Sequence, residues 1–216
     1  MTYALWFAVL LAVALAAYIA MGIYLLLTPT SGKRIHKATR PHEALLVIDL
    51  QSDFTRKTGK GSYRADEVNS ALMSVNALAR SAHASGVPVV SIRQVVTAPL
   101  AAFVGRILAG PAGIAGSPGI GLDPRLDLNA ERDFIKSRGD AFSNPELERW
   151  LGDNKIGKLR IVGLDGCYCV RLTSLGALNR GYDVELIESG VLASDVDRWF
   201  DCKRLLSDRG AAFVAA

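Results

Sequence analysis

Three side chains able to take part in nucleophilic chemistry stand where apolar runs end. Asp49 closes the run ALLVIDL, Lys136 closes a short run from Asp133, and Cys169 follows LRIVGL within the segment GLDGCYCV. The chain has three His, and none stands at the end of such a run: His36 and His42 precede the first one, and His83 lies near the end of the helical stretch behind it. That removes Ser-His and Cys-His pairs and leaves no cluster with metal-ligand spacing, so a base must be a carboxylate or a lysine. A helix opens near Cys169, and a thiol there gains from the helix dipole and free N–H groups, which favour the thiolate, as does a nearby ammonium. Each residue also has a plainer use: Asp49 as a helix cap at a strand end, Lys136 as a surface lysine, Cys169 as a small buried hydrophobe. Cys167 reads as a loop residue with no redox partner at a fixed spacing. Cys202, three residues after Trp199, reads as packing.

The elements that must position these residues alternate along the chain. ALLVIDL is continuously apolar, the pattern of a central parallel strand covered on both faces. Behind it, Val68, Leu72, Val75, Ala79 and Ala82 recur at helical spacing, and Gly86 with Pro88 ends the helix. PVVSIRQVV is the next strand. The Gly- and Pro-rich stretch from Gly105 to Pro124 reads as a long excursion of the functional kind, a lid or partner surface. Its Gly119 and Gly121 make no dinucleotide fingerprint. Then follow a strand at 133–136, a helix from Pro145 to about Asp153, strand LRIVGL, the helix near Cys169, strand YDVELIE, a helix over 196–207 and a last strand AAFV. This alternation predicts an α/β fold, three layers (α/β/α) around a mainly parallel sheet of about six strands, with ligands beyond the strands' carboxyl ends.

Composition divides the chain in two. All 25 basic and 21 acidic side chains lie after Gly32. Their share of that remainder is about one quarter, as in ordinary globular domains, so the raised overall hydropathy comes from the N-terminus. The run Tyr3 to Leu27 is apolar except for Gly22, and as a helix would span roughly 38 Å, enough to cross a bilayer with some tilt. A cleaved signal peptide and a buried core helix are the alternatives, but MTY carries no basic n-region. Residues 1–32 are therefore expected to be a transmembrane anchor, 33–43 a basic juxtamembrane linker and 44–216 the folded domain. Lys33, Arg34, Lys37 and Arg40 flank the run on one side only, which predicts a single-pass protein of the cell membrane with its domain in the cytoplasm. Three Cys fit that reducing compartment better than a disulfide framework. A net charge of +4, with these four basic residues beside the anchor, gives no case for nucleic acid.

VIDLQSDF, FIKSRGDAF and IVGLDGCYCVRLTSLGALNRGYDV together resemble the three signature segments of the isochorismatase-like cysteine hydrolase superfamily, which includes nicotinamidases and N-carbamoylsarcosine amidohydrolases. The resemblance runs through residues 44–214. It implies Asp49, Lys136 and Cys169 as the catalytic set, a non-proline cis peptide at Leu164–Asp165, and an oxyanion hole from the backbone N–H groups of Asp165 and Cys169. The implied activity is hydrolysis of a C–N bond in a small amide, carbamoyl or ureido substrate through a Cys thioester. Vinyl-ether hydrolysis of the isochorismatase type and a catalytically idle, membrane-tethered interaction module are the rival readings. Two departures stand out. Gly166 replaces a frequent Thr, which would loosen its loop. The segment Arg93, Gln94, Val95, Val96, Thr97, Ala98 replaces the nicotinamidases' Asp-x-His metal motif, so neither a metal nor any other cofactor is expected, and nicotinamide is a poor candidate substrate. Phe54, Arg93, Gln94, Phe142 and Tyr168 are candidates to line the pocket, with Phe54 and Phe142 equally suited to the core and Arg93 to a structural ion pair. The expected partners are the small-molecule substrate and the membrane, through residues 3–27, with homo-oligomer formation left open.

Overall fold

The computed structural model describes residues 2–58, 62–98 and 112–215. Six strands form one sheet: β1 (His42–Ile48), β2 (Val89–Gln94), β3 (Arg132–Lys136), β4 (Ile156–Leu164), β5 (Asp183–Leu192) and β6 (Ala212–Val214). Their order is β3-β2-β1-β4-β5-β6 and every pairing is parallel. The order reverses direction at β1, so Asp49 leaves the sheet at the switch point where parallel α/β folds open a crevice. β1 is central because its side chains are apolar on both faces: Leu45 and Val47 pack with Val68, Leu72 and Val75, whereas Leu46 and Ile48 pack with Leu147, Leu151 and Leu175. The first face is covered by α3 (Ala65–Ala84), whose buried residues follow the helical period expected of them. The other is covered by α4 (Pro145–Asp153), α5 (Arg171–Asn179) and α6 (Val196–Asp208).

Helix α1 (Thr2–Leu27) is long and apolar enough to cross a membrane by length and composition, and no residue of its 9–27 window is buried against the rest of the chain. The chain beyond it is held more firmly than a simple linker. The Thr30 backbone N–H and hydroxyl both donate to Asp140 Oδ2 at 2.7 Å. Buried Arg180 donates to Thr30 Oγ1 at 2.9 Å and to the Ser31 carbonyl at 3.2 Å, and Asn179 donates to the Thr30 carbonyl at 3.0 Å. β1 then begins at His42, two residues ahead of the expected start.

The excursion beginning at Gly105 lies partly outside the described residues. Its portion from residue 112 onward packs against the short helix α2 (Ser52–Thr55). Asp53 accepts from the Gly113 N–H at 2.9 Å and from the Ser117 hydroxyl at 2.5 Å, and its own N–H donates to the Gly119 carbonyl. Buried Asp123 closes the same unit, accepting from Thr55 Oγ1 at 2.6 Å and from the Arg125 guanidinium at 2.6 and 2.9 Å.

Candidate active site

The three polar residues that end apolar runs meet at the carboxyl edge of the sheet. Lys136, the last residue of β3, lies with its side chain fully buried and its ammonium 2.8 Å from Asp49 Oδ2 and 3.2 Å from Cys169 Sγ. Two further acceptors hold it, Gln94 Oε1 at 2.6 Å and the Arg138 carbonyl at 3.1 Å. A buried ammonium is expensive unless paired and hydrogen-bonded, and this arrangement satisfies it. Asp49 follows β1 with a left-handed backbone (φ 55°), a strained conformation that Asp tolerates better than most residues. Its second carboxylate oxygen, Oδ1, is buried and has no hydrogen-bond partner. Cys169 is half-buried in a π-helical turn (Gly166–Val170) that leads into α5.

The electrostatics correct one expectation. Burial pushes the Cys169 thiol up to about 12, with Lys136 opposing that rise and Asp49 adding to it, a direction opposite to the expected favouring of the thiolate. The start of a helix and one cation do not outweigh the desolvation of sulfur beside a carboxylate. Burial also raises the Asp49 carboxyl above its ordinary value, against the pull of Lys136. Burial lowers the Lys136 ammonium, but Asp49 and Cys169 outweigh it and leave its value raised. The arrangement sets an ammonium whose value is raised by its neighbours between a carboxyl and a thiol that burial also raises.

The loop after β4 contains the cis peptide Leu164–Asp165 at the expected bond. Asp165 anchors the loop through its carboxylate, which accepts from the Cys167 N–H at 2.7 Å, the Ser194 N–H and hydroxyl at 2.8 Å each, and the Tyr63 hydroxyl at 3.0 Å. The space at Gly166 is filled from another element. A Cβ there would meet the Trp199 indole at 2.9 Å, so the aromatic ring takes the space a larger residue would need. Cys167 is buried and its Sγ lies 3.7 Å from the Asp195 carbonyl, away from Lys136. Cys202 is buried in packing, as expected.

A cavity of about 460 Å³ opens over these groups, within the usual size of a small-ligand pocket. Of the expected lining residues, Phe54, Gln94 and Tyr168 border it, as do Asp49, Asp165 and Cys169. Two do not. Phe142 is core, against Tyr182 and beneath the Arg180 guanidinium at 4.6 Å. Arg93 bonds bidentately to Asp133 and does not border the cavity, which leaves Gln94 as the polar contribution of β2. Tyr63, Ser194, Lys57, Leu172, Leu26 and Leu27 border it as well and were not expected. Ser194 follows the end of β5 and was reachable by the strand-end rule, whereas Tyr63 sits in an aperiodic loop that gives no such signal.

The donor set does not fit a metal. Gln94 Oε1 is committed to Lys136 and Arg93 to Asp133, and among the described residues no three His, Cys, Asp or Glu gather as ligands.

A parallel sheet of this order, with its polar cluster and cavity at the carboxyl edge, defines a three-layer α/β architecture with a candidate active site at its strand ends. Residues 43–216 match the Isochorismatase domain, and the chain belongs to that family of hydrolases. It is 27% identical to the nicotinamidase of Escherichia coli (strain K12) over 69% of this chain and 83% of that one. Among solved structures, a pyrazinamidase of Pyrococcus horikoshii in complex with zinc is similar with a TM-score of 0.67 and 24% identity, covering 82% of this chain and 100% of that one. N-carbamoylsarcosine amidase from Thermoplasma acidophilum is similar with a TM-score of 0.67 and 23% identity, covering 81% and 96%. Both share the fold.

Proposed function

We propose that this protein is a membrane-anchored cysteine hydrolase that cleaves the C–N bond of an amide, carbamoyl or ureido substrate through a thioester. The observation that carries the reading is the Lys136 ammonium in simultaneous contact with Asp49 Oδ2 and Cys169 Sγ. Asp49 takes the thiol proton as the sulfur attacks the carbonyl carbon, its partnerless Oδ1 being the oxygen free to do so. Lys136 holds the charge that appears on sulfur. The Asp165 and Cys169 N–H groups receive the carbonyl oxygen as it becomes an oxyanion. The intermediate collapses, the C–N bond breaks and Asp49 returns its proton to the leaving nitrogen. Water, deprotonated by Asp49, then attacks the thioester. The C–S bond breaks, releasing the carboxylate product (from a ureido substrate, a carbamate), and the sulfur regains its proton.

The raised carboxyl of Asp49 and the raised thiol of Cys169 suit this sequence, because proton transfer is coupled to attack and no reactive thiolate is exposed between turnovers. Vinyl-ether hydrolysis gains nothing from a thiol held this way, since it protonates an alkene. Gln94 and Tyr168 orient the substrate, and Phe54 supplies an apolar wall. The proposed route calls on no metal or organic cofactor for its covalent steps: Asp49, Lys136 and Cys169 supply the base, the cation and the nucleophile. The α1 helix anchors the protein and its basic flank keeps the domain in the cytoplasm. The test is to mix the full chain with amides, carbamoyl amines and ureas and to analyse acid-quenched samples by mass spectrometry. An acyl or carbamoyl adduct on Cys169, lost with hydroxylamine and absent from Cys169→Ala, is expected. Turnover by Cys169→Ala above a few per cent would overturn the thioester route.

A further inference from the structure

The wall of the cavity that faces the N-terminus is made by the end of the apolar helix itself. Leu26 and Leu27, the last two residues of α1, border the same cavity as Cys169, and Leu172 of α5 continues that apolar side. The approach is close: the Leu26 carbonyl oxygen lies 3.0 Å from where a Cβ on Gly139 would stand, and Leu172 Cδ1 lies 2.5 Å from the same point, so a larger residue there would crowd both. The register of this contact is held by the chain just beyond the helix. Thr30 is hydrogen-bonded to buried Asp140 and buried Arg180, and Arg180 is itself paired with Glu148 at 2.9 Å. The window Val9–Leu27 has 19 residues. As a helix it is roughly 28 Å long, about the thickness of the hydrocarbon core. Leu26 and Leu27 therefore stand at the boundary between acyl chains and headgroups, and the cavity opens at that boundary. Lys57, an exposed cation at the rim, is placed to meet anionic headgroups or a carboxylate product.

We propose that the substrate is an amphiphile drawn from the membrane interface: an apolar chain lying along Leu26, Leu27 and Leu172, joined to an amide or carbamoyl head that reaches Cys169. A tether that served only to localise the enzyme would have no reason to form part of the pocket. The proposal rests on the membrane-anchored hydrolase reading above and names the substrate class of that site. Each methylene that leaves water for the helix wall multiplies affinity by up to roughly fourfold, so chain length is the sensitive variable.

The experiment uses the full chain in phospholipid nanodiscs with two readouts. The first is hydrolysis of butanamide, octanamide and dodecanamide. The second is the rate at which N-ethylmaleimide and N-dodecylmaleimide modify Cys169, followed by peptide mass spectrometry, which requires no turnover. Both are repeated with Leu26→Ala/Leu27→Ala, which keeps the span apolar enough to insert, and with Leu26→Ser/Leu27→Ser; flotation with the discs checks insertion. All proteins share one bilayer, so partitioning of a long-chain reagent into lipid cancels between them. The expected result is a dodecyl-to-short-chain ratio at least tenfold higher in the native chain than in either double variant, in both readouts. If no amide is hydrolysed but the labelling ratio still depends on Leu26 and Leu27, the hydrolytic reading falls and the interfacial ligand stands. If amides are hydrolysed with no dependence on chain length, or the labelling ratio is the same in all three proteins, the interfacial substrate is overturned.

Discussion

Lys136 cannot be exchanged for a neutral residue without disturbing both of its partners. In Lys136→Ala the Asp49 carboxylate would remain buried without its cation, and loss of one member of a buried ion pair typically costs about 3–5 kcal/mol. The Cys169 thiol also loses the one group that draws its value down. The expected outcome is slower maleimide labelling of Cys169 together with a fall in kcat/KM; labelling at the native rate across pH would show that the ammonium does not act on the sulfur. In the proposed mechanism Asp49 sets the pH dependence. It must be ionised to accept the proton, and burial raises its carboxyl. Activity should therefore fall as pH drops through a value above the ordinary carboxylate pKa of about 4. An acid limb at or below that value in a pH series of kcat/KM would contradict the assignment. Exhaustive chelation should leave turnover unchanged, because Gln94 Oε1 is already committed to Lys136 and Arg93 to Asp133, and the β2 segment brings no carboxylate or imidazole. Restoration of lost activity by one divalent ion, followed alongside elemental analysis, would refute this.

At the scale of elements, the site depends on strand ends and on the short pieces fastened to them. α2 carries Phe54 into the cavity, and Asp123 fastens α2 to the segment from residue 112 onward through Thr55 and Arg125. Hydrogen bonds from Arg125, opposed by burial and helped by Thr55, hold the Asp123 carboxyl well below the usual carboxylate range. A carboxyl depressed in the folded state contributes stability that is complete above its unfolded pKa, about 4, and is lost as pH falls through the folded value. Asp123→Asn should therefore lower Tm at neutral pH by several degrees, and the difference from the native chain should shrink on acidification below about pH 4. A Tm difference that stays constant from pH 7 to pH 2.5 would exclude this origin.

Across the whole molecule, the chain that joins the apolar helix to the hydrolase domain is bonded into that domain by Thr30, Asp140 and Arg180. The four basic residues after the helix, with none before it, are the basis of the proposed cytoplasmic placement of the domain. Protease added to right-side-out vesicles should spare residues 44–216, and lysis should expose them. Digestion in intact vesicles, read by immunoblot of the domain, would reverse the topology.

Much of this protein is legible from local pattern. The apolar runs and helical periods produced the sheet and helices in order, since burial on both faces of a parallel strand leaves a continuous apolar signature. Asp49, Lys136 and Cys169 were visible as polar residues ending those runs. Tertiary structure decided what depends on depth and on neighbours distant in sequence. Arg93 and Phe142 were plausible pocket residues until Asp133 and the Tyr182 core claimed them. The upward push on the Cys169 thiol comes from desolvation, which a motif does not record. Gly166 was matched by Trp199, 33 positions later. The part played by Leu26 and Leu27 was hidden for the same reason: in sequence they are two more leucines in an apolar run, and only the path of the chain through Thr30 brings them to the cavity that holds Cys169.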